Sequence, residues 1–385
     1  MKKKSTFLLV LIIFVLFFLL VQSKTKIEYI PIGKAGPNLI EINSFKKNVK
    51  PKNIILIIGD GTGLNQIALS RIAIGGPDFR LAIDQLPYSG ISLTHSDDSL
   101  ITDSAASATA WAAGIKTTNK FLSISPEKDT VPTIPELLSK KGFISGLVAT
   151  SSITHATPAA FYAHVDSRYK GEEIARQLLS SPVSIALGGG LEFFDTDELQ
   201  ENSFLLIEKD ALSLENIQNY KKIIGLFDED GIERSQNKPT QKSMTNIALE
   251  FLALKSKECS GFFLMSEGSQ IDWAAHDNNS AKMIEEFRDF DQTIQNAMNF
   301  VSNNGETLLV ITADHETGGL QILGQENGKV KVQWGTGRHT GIPVGVYAYG
   351  PGADAFTGVM DNTDIFTKIL DAVDYSNLPN SNCLN

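Results

Sequence analysis

The chain has 385 residues, 42% hydrophobic and 20% charged, with 34 lysines and arginines against 44 aspartates and glutamates, a formal net charge of −10. That balance supports a large globular core and excludes an intrinsically disordered chain. An acidic protein of this kind is a poor binder of nucleic acid or anionic membranes, so an anionic substrate would need a local positive site built from metal ions or a buried arginine.

Residues 1–23, MKKKSTFLLVLIIFVLFFLLVQS, carry three lysines, an apolar run from Phe7 to Val21 and a small polar end. This is the layout of a secretory signal, with Val21 and Ser23 at the cleavage site. An uncleaved anchor is the alternative, because the run is long for a signal and short for a full membrane span. Removing the segment takes away three lysines and no acid and leaves a net charge of −13. Cys259 and Cys383 could pair, but two cysteines make neither a disulfide framework nor a cysteine-rich zinc site.

Residues 24–52 read as an irregular N-terminal arm. NIILIIGDG (53–61) is then a continuous apolar run stopped by glycines, the pattern of a strand buried on both faces. In TDSAASATAWAAG (102–114), Asp103 or Ser104 stands near the N-cap of a helix whose alanines offer almost nothing large to bury. TIPELLSKKG predicts a short helix with Thr133 as N-cap, Pro135 near its first position, Glu136 completing a capping box and Gly142 as the stop. Further buried runs follow at 142–150, 260–268, 307–314 and 344–352. Between them, Met283, Ile284, Phe287, Phe290, Ile294, Met298 and Val301 keep helical spacing. The alternation predicts an α/β fold: a large, mostly parallel central sheet with helices on both faces, in three layers. We read residues 53–375 as a single domain with a more polar insertion around 193–243, and 376–385 as a C-terminal tail.

Three of the buried runs are followed closely by carboxylates: Asp60, Glu267 with Asp272, and Asp314. In open parallel sheets the functional crevice lies at the carboxyl ends of strands, so these acids are expected to converge there. His276 lies four residues after Asp272, a spacing that faces both the same way on a helical turn; His315 adjoins Asp314, and His339 sits among glycines in GRHTG. Carboxylates with imidazoles and no cysteine suit zinc, and the carboxylates are too many for one ion. HATPAAFYAHVDSR adds His155, Thr157 and Arg168, the last a planar donor suited to gripping phosphate. His164 is assigned to structure or surface, and His95 has no partner motif.

The ordered set GDG, TDSAASATAWAAGIKT, HATPAAFYAHVDSR, EGSQIDWAAH, TADHETGG and GRHTG closely resembles the alkaline phosphatase family. The resemblance implies a homodimeric metal-dependent phosphomonoesterase, exported to the periplasm or cell surface. It makes Ser104 the nucleophile that is phosphorylated and then hydrolysed. It assigns Asp272, His276 and His339 to one zinc and Asp60, Asp314 and His315 to a second. Asp60 would bridge to a third site, usually magnesium, with Glu267, Thr157 and His155. Arg168 would clamp the phosphate, oriented by Asp103. Two residues depart from the best-known bacterial pattern: His155 stands where an aspartate is common, and Trp273, beside the phosphate, where a lysine is. The softer, neutral His155 would weaken magnesium selectivity and admit zinc or cobalt. Only 23 residues separate His315 from His339, which implies a short crown and an open site. Rival readings are a phosphodiesterase or sulfatase of the same superfamily, and a non-catalytic phosphate or metal binder; DSAASA lacks the sulfatase Cys/Ser-x-Pro-x-Arg pattern.

Overall fold

In the run at 53–59 every side chain from Ile54 to Ile58 is fully buried. The reason is its position: Ile55 and Ile57 enter one apolar core, while Ile54, Leu56 and Ile58 enter another on the opposite side. A strand at the centre of a sheet with helices on both faces must be apolar throughout.

The computed structural model describes residues 26–46, 49–208 and 211–383; the expected signal segment 1–23 lies outside the described residues. The strands are β1 (Lys26–Pro31), β2 (Asn53–Gly59), β3 (Tyr88–Leu93), β4 (Phe143–Ser152), β5 (Val183–Gly189), β6 (Phe204–Ile207), β7 (Lys222–Leu226) and β8 (Gly261–Gly268). They continue with β9 (Thr307–Thr312), β10 (Glu316–Thr317), β11 (Leu320–Glu326), β12 (Lys329–Trp334), β13 (His339–Thr340), β14 (Val344–Tyr349) and β15 (Gly358–Asp361). Ten form one sheet in the order β15-β3-β14-β9-β2-β8-β4-β5-β7-β6. Only β14 runs antiparallel to its neighbours. The fold is α/β with a mostly parallel sheet, as expected. Strands β4, β8, β2 and β9 lie side by side at its centre, which brings four carboxyl ends to one place.

The helices follow the sequence signals closely. Thr133 caps Ile134–Ser139 in a capping box with Glu136. Helix Ser280–Asn304 starts on an Asn279 cap, ends at Gly305 with φ 73°, and buries Met283, Phe287, Phe290, Ile294, Met298 and Val301 along one face. Helix Ser104–Ala113 is capped by Asp103, whose side chain accepts from Ala106 N–H, and all ten of its residues are buried. It is packed against helices Ala156–Ala159 and Asn362–Ala372, so its alanines permit close approach. Among the described residues no helix is long and apolar enough to cross a membrane.

Two segments differ from the sequence reading. The arm is not wholly irregular: β1 pairs antiparallel with β12, making a three-stranded sheet with β11. The region 193–243, read as an insertion, supplies β6 and β7, the last two strands of the central sheet. The reason is that these strands, four to six residues long and near sheet edges, are short and only partly apolar, so they leave no clear periodic signal. Cys259 and Cys383 are joined in a disulfide that fixes the tail beside the end of helix Gln241–Lys255, where Ser381 N–H also donates to Lys140 O at 3.1 Å.

His164 is structural. Its Nδ1 donates to Ser123 O at 2.8 Å and its Nε2 faces Glu136 Oε1 at 3.1 Å. Burial lowers its pKa, but the Glu136 carboxylate and the Ser123 carbonyl outweigh this and raise it; Glu136 is lowered, against the pull of burial, by His164 and by the Thr133 N–H. The imidazolium contribution is therefore complete below the unfolded pKa of about 6.5 and is lost as pH rises through the raised folded value. We expect His164→Gln to cost about 1 kcal/mol at pH 5.5 and clearly less at pH 9. Urea unfolding at the two pH values measures this, and equal losses would contradict it.

Candidate active site

The loops after β2, β8, β9 and β4 carry the candidate residues to the carboxyl end of the sheet. Asp60 follows β2 directly, and Gly61 next to it has φ +68°; a Cβ there would come within 2.8 Å of Asp272 Cα, so only glycine lets the chain pass. Gly61 N–H donates to Asp314 Oδ1 at 3.0 Å, locking the turns after β2 and β9 together.

Three groups of ligand-type atoms form there. Asp272, His276 and His339 each bring one to within 4.8 Å of the others; so do Asp60, Asp314 and His315, and so do Asp60, His155 and Glu267. In the first group His276 Nε2 lies 3.1 Å from His339 Nε2 and 3.2 Å from Asp272 Oδ2. The far nitrogens are committed: His276 Nδ1 donates to Gly337 O at 2.9 Å and His339 Nδ1 to Thr102 O at 3.0 Å. Both Nε2 lone pairs therefore point at one spot. The hydrogen bond to Asp272 raises His276 to about 9, while burial and then the charge of His315 lower His339 to about 4. A cation between these atoms would replace the His276 proton.

In the second group His315 Nε2 lies 2.9 Å from Asp314 Oδ2 and 3.8 Å from Asp60 Oδ1, and the His315 and His339 rings stack at 3.5 Å. Both carboxylate oxygens of Asp60, Glu267 Oε1, Thr157 Oγ1 and His155 Nδ1 are buried without a hydrogen-bond partner. Burial, then Asp314, Asp272 and Glu267, push Asp60 well above the usual carboxylate range, and burial pushes Glu267 up to about 7. Carboxylates of Asp60, Glu267 and Asp314 gathered out of water are expensive unless cations neutralise them, and the set of side chains, oxygen with imidazole, fits zinc or magnesium.

Ser104 opens its helix directly above these groups. Its Oγ lies 3.4 Å from His315 Nε2, at the positive end of the helix dipole. Arg168 approaches from the other side: Nη1 donates to Asp103 Oδ2 at 3.1 Å and Nη2 to His155 Nε2 at 3.0 Å. Burial, then the Arg168 charge, push His155 down to about 3, so its ring is neutral. Trp273 stands edge to face with His155, ring centroids 5.9 Å apart, and packs on Gly231, where a Cβ would lie 2.3 Å from the indole. The chain around 231 thus forms one wall of the site.

All thirteen sequence-derived candidates, Asp60, Asp103, Ser104, His155, Thr157, Arg168, Glu267, Asp272, Trp273, His276, Asp314, His315 and His339, lie in or beside this cluster. Sequence reasoning passed over the residues that hold them. Thr317 donates its hydroxyl to Asp272 Oδ1 and contacts His315 Nδ1 at 3.2 Å. Ser269 donates to Glu267 Oε2 at 2.6 Å, and Ser107 to Asp314 O at 3.0 Å. Buried Glu316 accepts from Gln66 Nε2 at 2.7 Å and from the Gly319 and Leu320 N–H groups at 3.2 Å. Glu316 and Thr317 stood in plain view in TADHETGG, but nothing local marks a residue as the partner of a ligand.

The family model for alkaline phosphatase matches residues 51–330. The chain is 32% identical to alkaline phosphatase 3 of Bacillus subtilis over 84% of this chain and 89% of that protein. The structure of the alkaline phosphatase from the Antarctic bacterium TAB5 superposes with a TM-score of 0.80 at 36% identity, covering 85% of this chain and 99% of that one. A histidine-to-glutamate mutant of that enzyme, with magnesium bound in its M3 site, superposes with a TM-score of 0.79 at the same identity and coverage.

Proposed function

This chain belongs to the alkaline phosphatase family and hydrolyses phosphate monoesters, and from that premise we propose how its residues divide the work. Ser104 is the nucleophile: its Oγ attacks phosphorus in line with the departing alkoxide, and the phosphoserine so formed is then hydrolysed. Asp272, His276 and His339 hold one zinc. Asp60, Asp314 and His315, near the Ser104 hydroxyl, would hold a second. Asp60, Glu267, Thr157 and His155 hold the third ion, magnesium, or zinc or cobalt because His155 is a softer ligand than a carboxylate. Bound there, the ions supply Lewis acidity that makes a serine alcohol a competent nucleophile at neutral to basic pH and steadies the leaving oxygen.

The single observation that carries the reading is the Ser104 hydroxyl at 3.4 Å from His315, over a cluster of buried acceptor atoms without partners. Arg168 supplies two guanidinium donors for the non-bridging phosphate oxygens, and Asp103, 3.1 Å from Nη1, orients them. The same Asp103 caps the Ser104 helix, so clamp and nucleophile share one anchor. Trp273 in place of a cationic side chain leaves the phosphate with fewer donors, which favours release of product.

The catalytic domain spans 53–375. Leu100 and Ile101, which precede Thr102, and Ile342, which follows the His339 loop, are 87%, 44% and 49% exposed, apolar side chains that suit a homodimer contact. Export to the periplasm or cell surface accords with the Cys259–Cys383 disulfide.

The test is hydrolysis of p-nitrophenyl phosphate before and after chelation, with zinc and then magnesium or cobalt added back. Loss on chelation, partial recovery with zinc and full recovery with the second metal are expected. Turnover indifferent to chelation, or no turnover under any condition, would overturn the assignment.

A further inference from the structure

Strand β1 has no place in the central sheet and supplies no member of the three ligand groups, yet one of its side chains reaches both segments that carry the first group. Glu28 pairs across from Val332 in the β1–β12 register. Its Oε2 accepts from Ser280 N–H at 3.1 Å, from the Trp334 indole at 3.1 Å and from the Ser280 hydroxyl. Its Oε1 lies 3.1 Å from Lys26 Nζ, which itself donates to Asn278 O at 2.6 Å. One carboxylate therefore joins three stretches of chain: β1, the turn that leaves His276, and Trp334 at the end of β12.

Both of the segments joined to β1 carry first-group ligands. Helix Gln270–His276 ends on His276, and the turn to Ser280 passes through Asn278 at φ +51°. From Trp334 the chain runs through Gly335, Thr336 and Gly337 to His339. Gly337 O is the acceptor that orients His276, at 2.9 Å. Gly318, at φ +91°, grips this loop: it accepts from Gly335 N–H at 2.9 Å and Thr336 N–H at 3.0 Å, and donates to Arg338 O at 2.9 Å. The Trp334 ring lies over Gly318 so closely that a Cβ there would be 2.4 Å away. Where the indole sits thus decides where Gly318 and the loop sit. Apolar packing alone could keep β1 on the hairpin edge; it does not account for a carboxylate with four donors at the junction of both ligand-bearing segments.

We propose that Glu28 is a positioning residue for the group formed by Asp272, His276 and His339: β1 is a strap whose carboxylate holds the His276 turn and the His339 loop at the separation a metal ion requires. The inference rests on reading that group as a zinc site. Partners that orient ligands from outside the coordination shell typically change metal affinity by about 10- to 100-fold when removed.

The test uses the full chain, stripped of metal and titrated with zinc alone against a chromophoric chelator. Glu28→Ala is expected to weaken one zinc equivalent by about 10-fold or more while sparing the rest. Glu28→Gln, which keeps an acceptor for Ser280 and Trp334, should fall between it and the unaltered chain. Cys383→Ser, which removes the distant tail disulfide, should lower Tm without changing zinc affinity. Unaltered zinc affinity in Glu28→Ala, or a loss no greater than that of Cys383→Ser at a matched fall in Tm, would overturn the proposal. Should Glu28→Ala not fold, Glu28→Gln and Ser280→Ala carry the same comparison. An unaltered chain that takes up no zinc would overturn the metal reading itself, and is recognised before any variant is compared.

Discussion

Ser104→Ala is expected to lower kcat for p-nitrophenyl phosphate by at least about 1,000-fold, a loss of roughly 4 kcal/mol or more of transition-state stabilisation. Many groups here position charge; the Ser104 alcohol opens the helix 3.4 Å from His315 Nε2, over the buried carboxylates. Covalent transfer to that oxygen splits one difficult displacement into two, and alanine has nothing to attack with. The fold should tolerate the change, because the serine occupies a position among alanines in a helix whose cap, Asp103, is untouched. Zinc content and Tm are therefore expected to stay near those of the unaltered protein, and the covalent phosphate trapped on acid quenching to disappear. Retention of that covalent phosphate, or turnover within ten-fold of the unaltered chain, would remove Ser104 from the mechanism.

Asp60→Asn should be nearly as damaging, for a different reason. Asp60 belongs to two ligand groups at once, with Asp314 and His315 on one side and His155 and Glu267 on the other. Replacing this anion by a neutral amide removes its charge from both groups and one of its two oxygens, so we expect a loss of at least about 100-fold in kcat/KM and of bound metal. The stability effect has opposite signs in the two states. In the chelated protein burial and the Asp314, Asp272 and Glu267 carboxylates raise the Asp60 pKa, so its ionised form costs stability at every pH above the unfolded value of about 4. Asparagine relieves that repulsion and should raise Tm without metal, while lowering Tm with metal, where the carboxylate is matched by cations. Elemental analysis and paired melting curves decide the point; a full metal complement with unchanged activity, or a fall in Tm in both states, would contradict it.

These expectations were drawn from residues whose chemistry is visible in short stretches. GDG after a buried run, an acid before serine in an alanine-rich helix, and the pairs at Asp272/His276 and Asp314/His315 are local patterns, and each reports a type of atom placed at the end of a strand. The parallel sheet was equally visible, because a strand covered on both faces has to be apolar at every position, as β2 is. Harder to see were β1, β6 and β7, too short and too polar to stand out. Whether Cys259 and Cys383 pair was open as well, since residues 124 apart give no sign of proximity until the tail is folded back. The contact of Arg168 with His155, the packing of Trp273 on Gly231 and the reach of Glu28 to Trp334 all join segments whose separation along the chain carries no signal.

The amino-acid order by itself determined which atoms are available: carboxylate and imidazole donors without thiolates, one alcohol at a helix start, one arginine beside it, and a sheet that would carry them to its carboxyl end. Only the folded chain decided their spacing. The order β4-β8-β2-β9 sets four loops next to one another, and a left-handed glycine turn lets Asp60 and Asp272 share a crevice. The physical reason is that the kind of atom at a position is set within a few residues, whereas ångström-scale separations between loops arise from strand order and from close packing among residues hundreds of positions apart.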